Sequence, residues 1–298
     1  MRPRLITNGD HTWLEVDNRL GEGVLVPPQD PTAVWWVDIL AQRLFRCDRR
    51  GFAGEDIEFD VWSLPRQLGA FQVIEATGGA FVLEGTGERS LWRVEVACGE
   101  PAPRAMTELR FLSDEPAGNR FNDGALGPDG AWYAGTMQVA ERDAAGRLLR
   151  FSADRGVETV DAGPYRVTNG PAFSPDGARM FHNDSAEGVT YVFDRQGPGQ
   201  WSGKREFHRF SPGEAPDGMH MSSAGVLIVA VWGGARLDLF QLDGEPLGSI
   251  PLPARYPTRP ALCAEENWVY VSSATAPGGD TGVAGGALIS VAYDPLAS

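Results

Sequence analysis

The sequence predicts an all-β protein built as a six-bladed β-propeller. Glycine and proline, 37 and 22 of 298 residues, make up about a fifth of the chain, well above the roughly 12% of average proteins. Short apolar runs with a period of two recur at even intervals, which is typical of strands joined by tight turns. No segment of about 12 or more residues keeps a helical period of 3.6, so we expect few helices.

The strand-like runs form six repeats of about 47 residues, a length typical of four-stranded propeller blades. The first run of each repeat lies at 34–37, 80–83, 132–134, 179–181, 226–229 and 268–271. A second run follows at 44–47, 91–96, 148–151, 189–193, 237–242 and 287–292. Pro-Asp-Gly at 128–130 and 175–177 predicts tight turns between adjacent strands. We expect one domain over 1–298, in which residues 12–16 add a strand to the last blade and close the ring.

Composition excludes several classes of partner. The net charge of -14 repels phosphate backbones, so we do not expect nucleic acid binding. No apolar run approaches 18 residues, and no secretory signal begins the chain, so we expect neither a membrane span nor export. Three cysteines, Cys47, Cys98 and Cys263, form no Cys-x-x-Cys pair and favour a reducing, cytoplasmic location. The oligomeric state is left open by the sequence.

One position of the repeat concentrates oxygen donors. Asn122 and Asn169 each stand eight residues before the glycine of a Pro-Asp-Gly turn, and the same spacing in the other repeats selects Glu22, Phe71, Asp217 and Thr258. The innermost strands of a propeller line its central channel, so these six positions should face one another. Two carboxylates in one cavity repel unless a proton or cation lies between them. Carboxylate and amide oxygens suit calcium, magnesium or manganese, and zinc or ferrous iron less selectively. The sequence therefore predicts a metal-binding channel.

Other catalytic patterns are missing from the sequence. It contains no His-Glu-x-x-His metal motif and no Gly-x-Ser-x-Gly nucleophile elbow. We interpret His182 as a hydrogen-bonded structural histidine within a strand. Trp35, Trp36, Trp132 and Trp268 are interpreted as packing residues of the core or of the contacts between blades.

The sequence resembles the regucalcin/gluconolactonase family of six-bladed sugar lactonases, and its bacterial aldonolactonases in particular. The matching segments are Leu-Gly-Glu-Gly at 20–23, Arg-Phe-Asn-Asp-Gly at 120–124, Gly-Thr-Met at 135–137, Thr-Asn-Gly at 168–170, Pro-Asp-Gly at 216–218 and Ala-Val-Trp-Gly-Gly at 230–234. Each motif is short, but their order and spacing over most of the chain make the resemblance specific.

The resemblance implies particular roles for matching residues. It implies that Glu22, Asn169 and Asp217 bind one divalent metal ion, with calcium the first expectation. It also implies that Arg120 and Asn122 contact the substrate. Some family members carry a further acidic substrate-binding residue, whose place here falls at Ala140. Glu141 is one residue away, and no role is transferred to it.

The resulting hypothesis is a metal-dependent lactonase, a carboxylic ester hydrolase acting on an aldonolactone such as gluconolactone or xylonolactone. A metal with three protein ligands leaves room for a water molecule and for the carbonyl oxygen of the substrate. Asp217 is the candidate general base, while His220 and Trp232 are further candidates for the pocket. Two alternatives stay open at this point. One is an esterase or phosphotriesterase on the same fold, and the other is a non-catalytic calcium-binding propeller.

Overall fold

The computed structural model describes residues 4–53, 57–263, 265, 267–275 and 279–294. Its strands form six antiparallel sheets, five with four strands and one with five. The innermost strands of neighbouring sheets contact one another all the way around a closed ring. The predicted six-bladed β-propeller is thereby confirmed.

Each of the first three blades is a four-stranded meander that runs outward from the channel. Blade 1 consists of β3 (Gly21–Leu25), β4 (Ala33–Asp38), β5 (Arg43–Asp48) and β6 (Phe59–Ser63). Blade 2 consists of β7 (Ala70–Thr77), β8 (Ala80–Gly87), β9 (Ser90–Ala97) and β10 (Ala105–Phe111). Blade 3 consists of β11 (Asn119–Leu126), β12 (Trp132–Gln138), β13 (Gly146–Ser152) and β14 (Gly156–Tyr165).

The remaining blades repeat this plan, with one addition. Blade 4 consists of β15 (Thr168–Phe173), β16 (Arg179–Asp184), β17 (Val189–Gly197) and β18 (Gln200–Arg209). Blade 5 consists of β19 (Ala215–Met221), β20 (Leu227–Trp232), β21 (Arg236–Phe240) and β22 (Pro246–Pro251). Blade 6 consists of β23 (Pro257–Leu262), β24 (Trp268–Ser273) and β25 (Leu288–Ala292), joined by β2 (His11–Glu15) and β1 (Arg4–Asn8).

The ring is closed by the N-terminal part of the chain. Strand β2 pairs antiparallel with β25, with Trp13 opposite Ile289, as expected for residues 12–16. Strand β1 then pairs with β2 and forms a fifth, outermost strand that the sequence did not predict. The two ends of the described chain are thus held in one sheet, so the ring has no open blade at its closure.

The hydrophobic core is divided into six clusters, one between each pair of neighbouring blades. Alternation along the strands explains this division, because successive side chains point to opposite faces of a sheet. Trp35 packs between blades 1 and 2, whereas the next residue, Trp36, packs between blades 6 and 1. Trp132 packs between blades 2 and 3 as predicted. Trp268 is 39% exposed, so it does not belong to the buried core, and its predicted packing between blades stays a prediction.

Helical structure is scarce, as the sequence predicted. The described residues contain one short 3₁₀ helix, Arg49–Ala53, and no α-helix. Among these residues, no helix has the length and apolar character needed to cross a membrane.

His182 on β16 is fully buried at the interface of blades 3 and 4. Its ring packs edge-on against Tyr165, with the ring centroids 4.8 Å apart. Neither ring nitrogen has a hydrogen-bond partner among the described residues, so the expectation of a hydrogen-bonded histidine was wrong. Burial away from water disfavours the imidazolium ion, and with the nearby Lys204 ammonium it lowers the pKa of His182 to about 3.

Because His182 is buried in its neutral form, we expect the folded protein to lose stability in acid. Below pH 6.5 the unfolded chain binds a proton at His182 that the folded chain does not, so stability falls as the pH drops towards 3. Each pH unit in this window should remove about 1.4 kcal/mol of unfolding free energy. We expect His182→Leu to lose this slope relative to the wild type in denaturant titrations at several pH values. Replacing the partly exposed His11 by Gln is the control, and an unchanged slope in His182→Leu would contradict the prediction.

Candidate functional site

A cavity of about 240 Å³ opens at one end of the central channel. It is lined by the beginnings of four innermost strands and by the loops around them. Its residues are Leu20, Glu22, Arg120, Asn122, Met137, Glu141, Val167, Asn169, Ser185, Ala186, Ala215, Asp217 and Trp232. We call this space the site cavity. It is smaller than the roughly 300–1,000 Å³ pockets that hold drug-sized ligands, so it suits one small molecule.

Irregular strand pairing directs the polar residues into the site cavity. The pairing of β3 with β4 shifts register after Glu22, and that of β15 with β16 shifts after Asn169. Strand β11 shifts between Phe121 and Gly124, and β19 shifts between Pro216 and Met219. A bulge re-aims side chains and locally ends the regular ladder. The four oxygen-bearing residues of the predicted repeat position therefore sit at, or next to, irregularities of the innermost strands.

A hydrogen-bonded chain fixes the amide side chains. Arg120 donates from Nη1 to Asn122 Oδ1 at 2.6 Å. Asn122 Nδ2 donates to the Thr168 carbonyl oxygen at 2.8 Å and to Asn169 Oδ1 at 3.1 Å. Asn169 Nδ2 in turn donates to Ser185 Oγ at 2.8 Å. Since every amide N–H₂ group is engaged with protein, the oxygen of Asn169 is held in one orientation.

Two carboxyl groups of the site cavity, those of Glu22 and Asp217, are buried close enough to influence each other's ionisation. Burial raises the pKa of Glu22 to about 7. Two smaller effects lower this pKa: the positive charge of Arg259 and the Gly23 N–H group, whose nitrogen lies 3.3 Å from Glu22 Oε2. Burial also raises the pKa of Asp217 well above its usual range, and the negative charge of Glu22 raises it further. Two ionised carboxylates are therefore unfavourable here without a compensating cation.

The charge balance of the site cavity is negative. Of the described residues that line it, Glu22, Asp217 and Glu141 are acidic and only Arg120 is basic. The pKa of Arg120 is itself lowered by burial, although the three carboxylates oppose that effect. With all four groups ionised the lining carries two net negative charges, which one divalent cation would neutralise.

The donor set of the site cavity fits a hard divalent metal ion. It combines two carboxylates with the oriented amide oxygen of Asn169, the oxygen chemistry preferred by calcium, magnesium and manganese. Nowhere among the described residues do three or more His, Cys, Asp or Glu side chains gather around one point. The candidate site differs from that pattern because an asparagine replaces the third carboxylate.

The structure brings most of the predicted site residues together. Glu22, Asn122, Asn169 and Asp217 all line the site cavity, joined by Arg120 and by Trp232. His220 does not join them: it lines a second cavity of about 280 Å³ farther along the channel, which also contains Phe71. His220 follows Asp217 by three residues on β19, so the chain has already moved down the channel. Thr258, the sixth repeat position, hydrogen-bonds the Gly21 carbonyl oxygen at 2.5 Å.

Two polar lining residues were missed by sequence reasoning. Glu141 was set aside because the acid was expected at Ala140, yet it lines the site cavity from a loop where its own backbone is left-handed (φ 54°). Ser185 follows the buried polar run His182–Asp184 on β16. Such a polar run at the end of an otherwise apolar strand is the signal that could have identified Ser185.

Several known proteins with similar sequences are named as sugar lactonases. The chain is 36% identical over 247 residues to the 6-deoxy-6-sulfogluconolactonase of Pseudomonas putida, covering 80% of this chain and 78% of that protein. It is 29% identical over 260 residues to the L-arabinolactonase of Azospirillum brasilense, covering 86% of this chain and 81% of that protein.

A solved structure shares the fold. The calcium-binding protein regucalcin from Agrobacterium tumefaciens superposes with a TM-score of 0.79 at 22% identity, covering 93% of this chain and 90% of that chain. Residues 20–275 match the family model described as the SMP-30/gluconolactonase/LRE-like region, a span that includes every residue of the site cavity. The chain therefore belongs to the SMP-30/gluconolactonase/LRE-like family, in agreement with the resemblance seen in its sequence motifs.

Proposed function

We propose that this protein is a metal-dependent lactonase that hydrolyses a small sugar lactone to the aldonic acid. The observation that carries the proposal is the buried pair Glu22 and Asp217, held with the oriented amide of Asn169 in a cavity with surplus negative charge. The names of three related proteins, a sulfogluconolactonase, an arabinolactonase and a pentonolactonase, support the reaction class.

Glu22, Asn169 and Asp217 would hold the metal ion, and calcium is the ion we expect first. Zinc, manganese, magnesium and ferrous iron are the alternatives that oxygen ligands also accept. The bound ion supplies Lewis acidity, which polarises a carbonyl group and lowers the pKa of water. Raised pKa values of Glu22 and Asp217 favour this role, because ion binding is the event that makes both carboxylates ionise.

Asp217 acts as the general base in this proposal. Its carboxylate takes a proton from a water molecule while the water oxygen attacks the carbonyl carbon of the lactone. The bond between the carbonyl carbon and the ring oxygen then breaks, and the proton passes from Asp217 to that oxygen as it becomes a hydroxyl group. The product carries a carboxyl group that ionises in a cavity lined by carboxylates, and this repulsion favours its release.

Arg120, Asn122 and Glu141 are the proposed substrate contacts. Arg120 uses Nη1 for Asn122 and the Phe121 carbonyl oxygen, which leaves guanidinium N–H groups free to donate to hydroxyl or ring oxygens of a sugar. Glu141 adds an acceptor for hydroxyl groups from the loop after β12. The Arg120 donor and the Glu141 acceptor therefore both reach the site cavity from blade 3.

The rest of the site cavity wall is apolar and suits the carbon face of a sugar ring. Leu20, Met137 and Val167 line it together with Trp232. The Trp232 ring packs against Tyr256 with ring centroids 4.8 Å apart, which restricts how it can turn. We therefore propose an uncharged aldonolactone such as gluconolactone or xylonolactone as the substrate.

Acid release from lactones tests the proposal directly. Gluconolactone and xylonolactone are incubated in a pH-stat with the metal-stripped protein, before and after calcium is added, with aryl esters and organophosphates as comparison substrates. We expect calcium-dependent release from a lactone. Faster turnover of an ester or phosphotriester would instead assign the site to those substrates. No metal-dependent release from any of them would favour a non-catalytic calcium-binding propeller.

Replacing the general base should abolish most of the turnover. We expect Asp217→Asn to lower kcat by roughly 10²- to 10⁴-fold at saturating calcium, because the amide can still offer an oxygen but cannot accept the proton. Asp238→Asn, which changes an aspartate of β21 paired with Arg236, is the control for general damage. Wild-type kcat in metal-loaded Asp217→Asn would remove Asp217 from the mechanism.

Replacing Glu22 should stabilise the metal-free protein and at the same time weaken its binding of metal. Its folded pKa of about 7 exceeds the ordinary 4.5, so the stability given by the protonated form is complete below pH 4.5 and is lost as the pH rises through 7. In the metal-free protein at alkaline pH, the ionised Glu22 lowers the free energy of unfolding by about 3 kcal/mol. We expect Glu22→Gln to have a higher thermal midpoint than the wild type in EDTA at alkaline pH. Added calcium should raise the midpoint of this variant much less than that of the wild type.

The control for this prediction is a glutamate with the opposite environment. Glu115 is buried against Arg147, with Oε2 2.7 Å from Nε, so Glu115→Gln should melt lower than the wild type with or without calcium. A Glu22→Gln protein that melts below the wild type in EDTA at alkaline pH would contradict the prediction.

Glu141 should affect substrate binding more than turnover. A hydrogen bond to a charged group contributes about 1.5–3 kcal/mol, so we expect Glu141→Gln to raise KM for a lactone roughly 10- to 100-fold. Glu187→Gln, in the loop after β16 and ion-paired only loosely with Arg166 at 3.8 Å, is the matched control. An unchanged KM in Glu141→Gln would exclude Glu141 from the substrate contacts.

A further inference from the structure

An ion pair crosses the channel immediately below the site cavity. Asp123 on β11 contacts Arg259 on β23, through Oδ1 and Nη1, and both residues belong to innermost strands. Asp123 is almost fully buried, and its side chain lies outside the site cavity although its neighbour Asn122 lines it. The register shift of β11 at these two residues turns adjacent side chains to different levels of the channel.

Asp123 also holds the backbone beside a proposed metal ligand. Its second oxygen, Oδ2, accepts a hydrogen bond at 2.8 Å from the N–H group of Gly170, the residue that follows Asn169. Oδ1 accepts from the N–H group of Gly124 at 2.8 Å. One carboxylate therefore ties β11, β15 and β23 together at the level of the ligands.

Arg259 lies beside the glycine that follows Asp217, and its neighbour Thr258 contacts the residue that precedes Glu22. A Cβ atom added to Gly218, which follows Asp217, would stand 2.7 Å from Arg259 Cβ and 2.8 Å from its Cγ, so the arginine stem fills the space that this glycine leaves. The guanidinium is the nearby charge that most opposes the rise of the Glu22 pKa. Thr258, next to Arg259, hydrogen-bonds the Gly21 carbonyl oxygen, adjacent to Glu22.

These contacts converge on one role. Each proposed ligand is followed by a glycine, namely Gly23, Gly170 and Gly218. Asp123 hydrogen-bonds the N–H group of Gly170, and the stem of Arg259 packs on Gly218. Thr258, the chain neighbour of Arg259, holds the Gly21 carbonyl oxygen beside the third ligand. We propose that the Asp123–Arg259 ion pair is a positioning element that holds Glu22, Asn169 and Asp217 in their binding arrangement, and that metal affinity depends on both of its members. This inference rests on the metal site of the proposed function.

Simple electrostatics and positioning make different predictions for this pair. If the pair acted only through its charges, removing Arg259 would strengthen cation binding and removing Asp123 would weaken it. If the pair positions the ligands, removing either partner weakens binding, because the remaining partner is left buried and unpaired and the ligand backbone shifts. The sign of the Arg259 effect therefore separates the two explanations.

The experiment measures calcium affinity, without substrate, by calorimetric titration of the metal-stripped protein at alkaline pH. The variants are Asp123→Asn, Arg259→Met and the double variant, which together form a double-mutant cycle. We expect each single variant to lose roughly 10- to 100-fold in affinity, as outer residues of metal sites typically do. The double variant should lose less than the product of the two single losses.

Matched controls keep a general loss of stability apart from positioning. Asp129→Asn breaks a comparably buried ion pair with Arg150, 2.8 Å from Oδ2 to Nε, in a turn remote from the site cavity. It should lower the thermal midpoint but leave calcium affinity unchanged. Arg259→Lys keeps the positive charge and should retain more affinity than Arg259→Met, which gives a second comparison if the methionine variant folds poorly.

Each outcome has a distinct meaning. Tighter calcium binding by Arg259→Met, or unchanged binding by both single variants in folded protein, would overturn the positioning role. A wild-type protein that binds no divalent ion would instead overturn the proposed metal site itself. Loss of affinity in both single variants, with the Asp129→Asn control unaffected, would establish the inference.

Discussion

The burial of two mutually repelling carboxyl groups at the centre of a closed ring is the constraint on which the rest of this structure depends. Glu22 and Asp217 come from blades 1 and 5, and neither could be kept away from water by its own blade alone. Six packed interfaces between blades supply the stability that offsets this unfavourable arrangement. A site of this kind is maintained by its surroundings, not by its own contacts.

The surroundings are organised in layers along the channel. At the cavity, Arg120, Asn122, Asn169 and Ser185 form a continuous hydrogen-bonded chain. Beneath it, the Asp123–Arg259 pair joins strands from blades 3 and 6. The amide groups of the upper layer and the Asp123 carboxylate of the lower layer have hydrogen-bond partners, so polar groups are tolerated where a core would otherwise be apolar. Mutating a residue in the lower layer is therefore expected to affect the upper layer without direct contact to a ligand.

The repeat of the sequence was sufficient to predict the fold and much of the candidate site. Strand alternation and turn residues are local signals, and a fixed spacing relates equivalent positions in different blades. Hence the spacing of the repeat alone places Glu22, Asn122, Asn169 and Asp217 in one channel. The pairing of β2 with β25 was predictable for the same reason, since a ring needs closure.

What the repeat could not predict depends on geometry that is not periodic. Glu141 reaches the site cavity because one loop residue adopts a left-handed backbone, which spacing alone does not reveal. His220 was predicted to lie near the site cavity, but it lines the second cavity. A strand advances about 3.3 Å per residue, so the three residues from Asp217 to His220 span the distance between the two cavities. The Asp123–Arg259 pair joins residues 136 positions apart, and the register shift beside Asn122 decides which side chain faces which level.

The closure of blade 6 by strand β2 also has a consequence for the order of events during folding. His11 pairs with Val291, so this blade cannot be completed until nearly all of the described chain is available. Contacts between such distant positions carry a large loop-closure entropy and form late. Blade 1, which carries Glu22, packs against blade 6 through a shared hydrophobic cluster. The position of Glu22 is therefore fixed only when the ring is closed. An incomplete nascent chain would thus lack the assembled site cavity, which forms only at this final docking step.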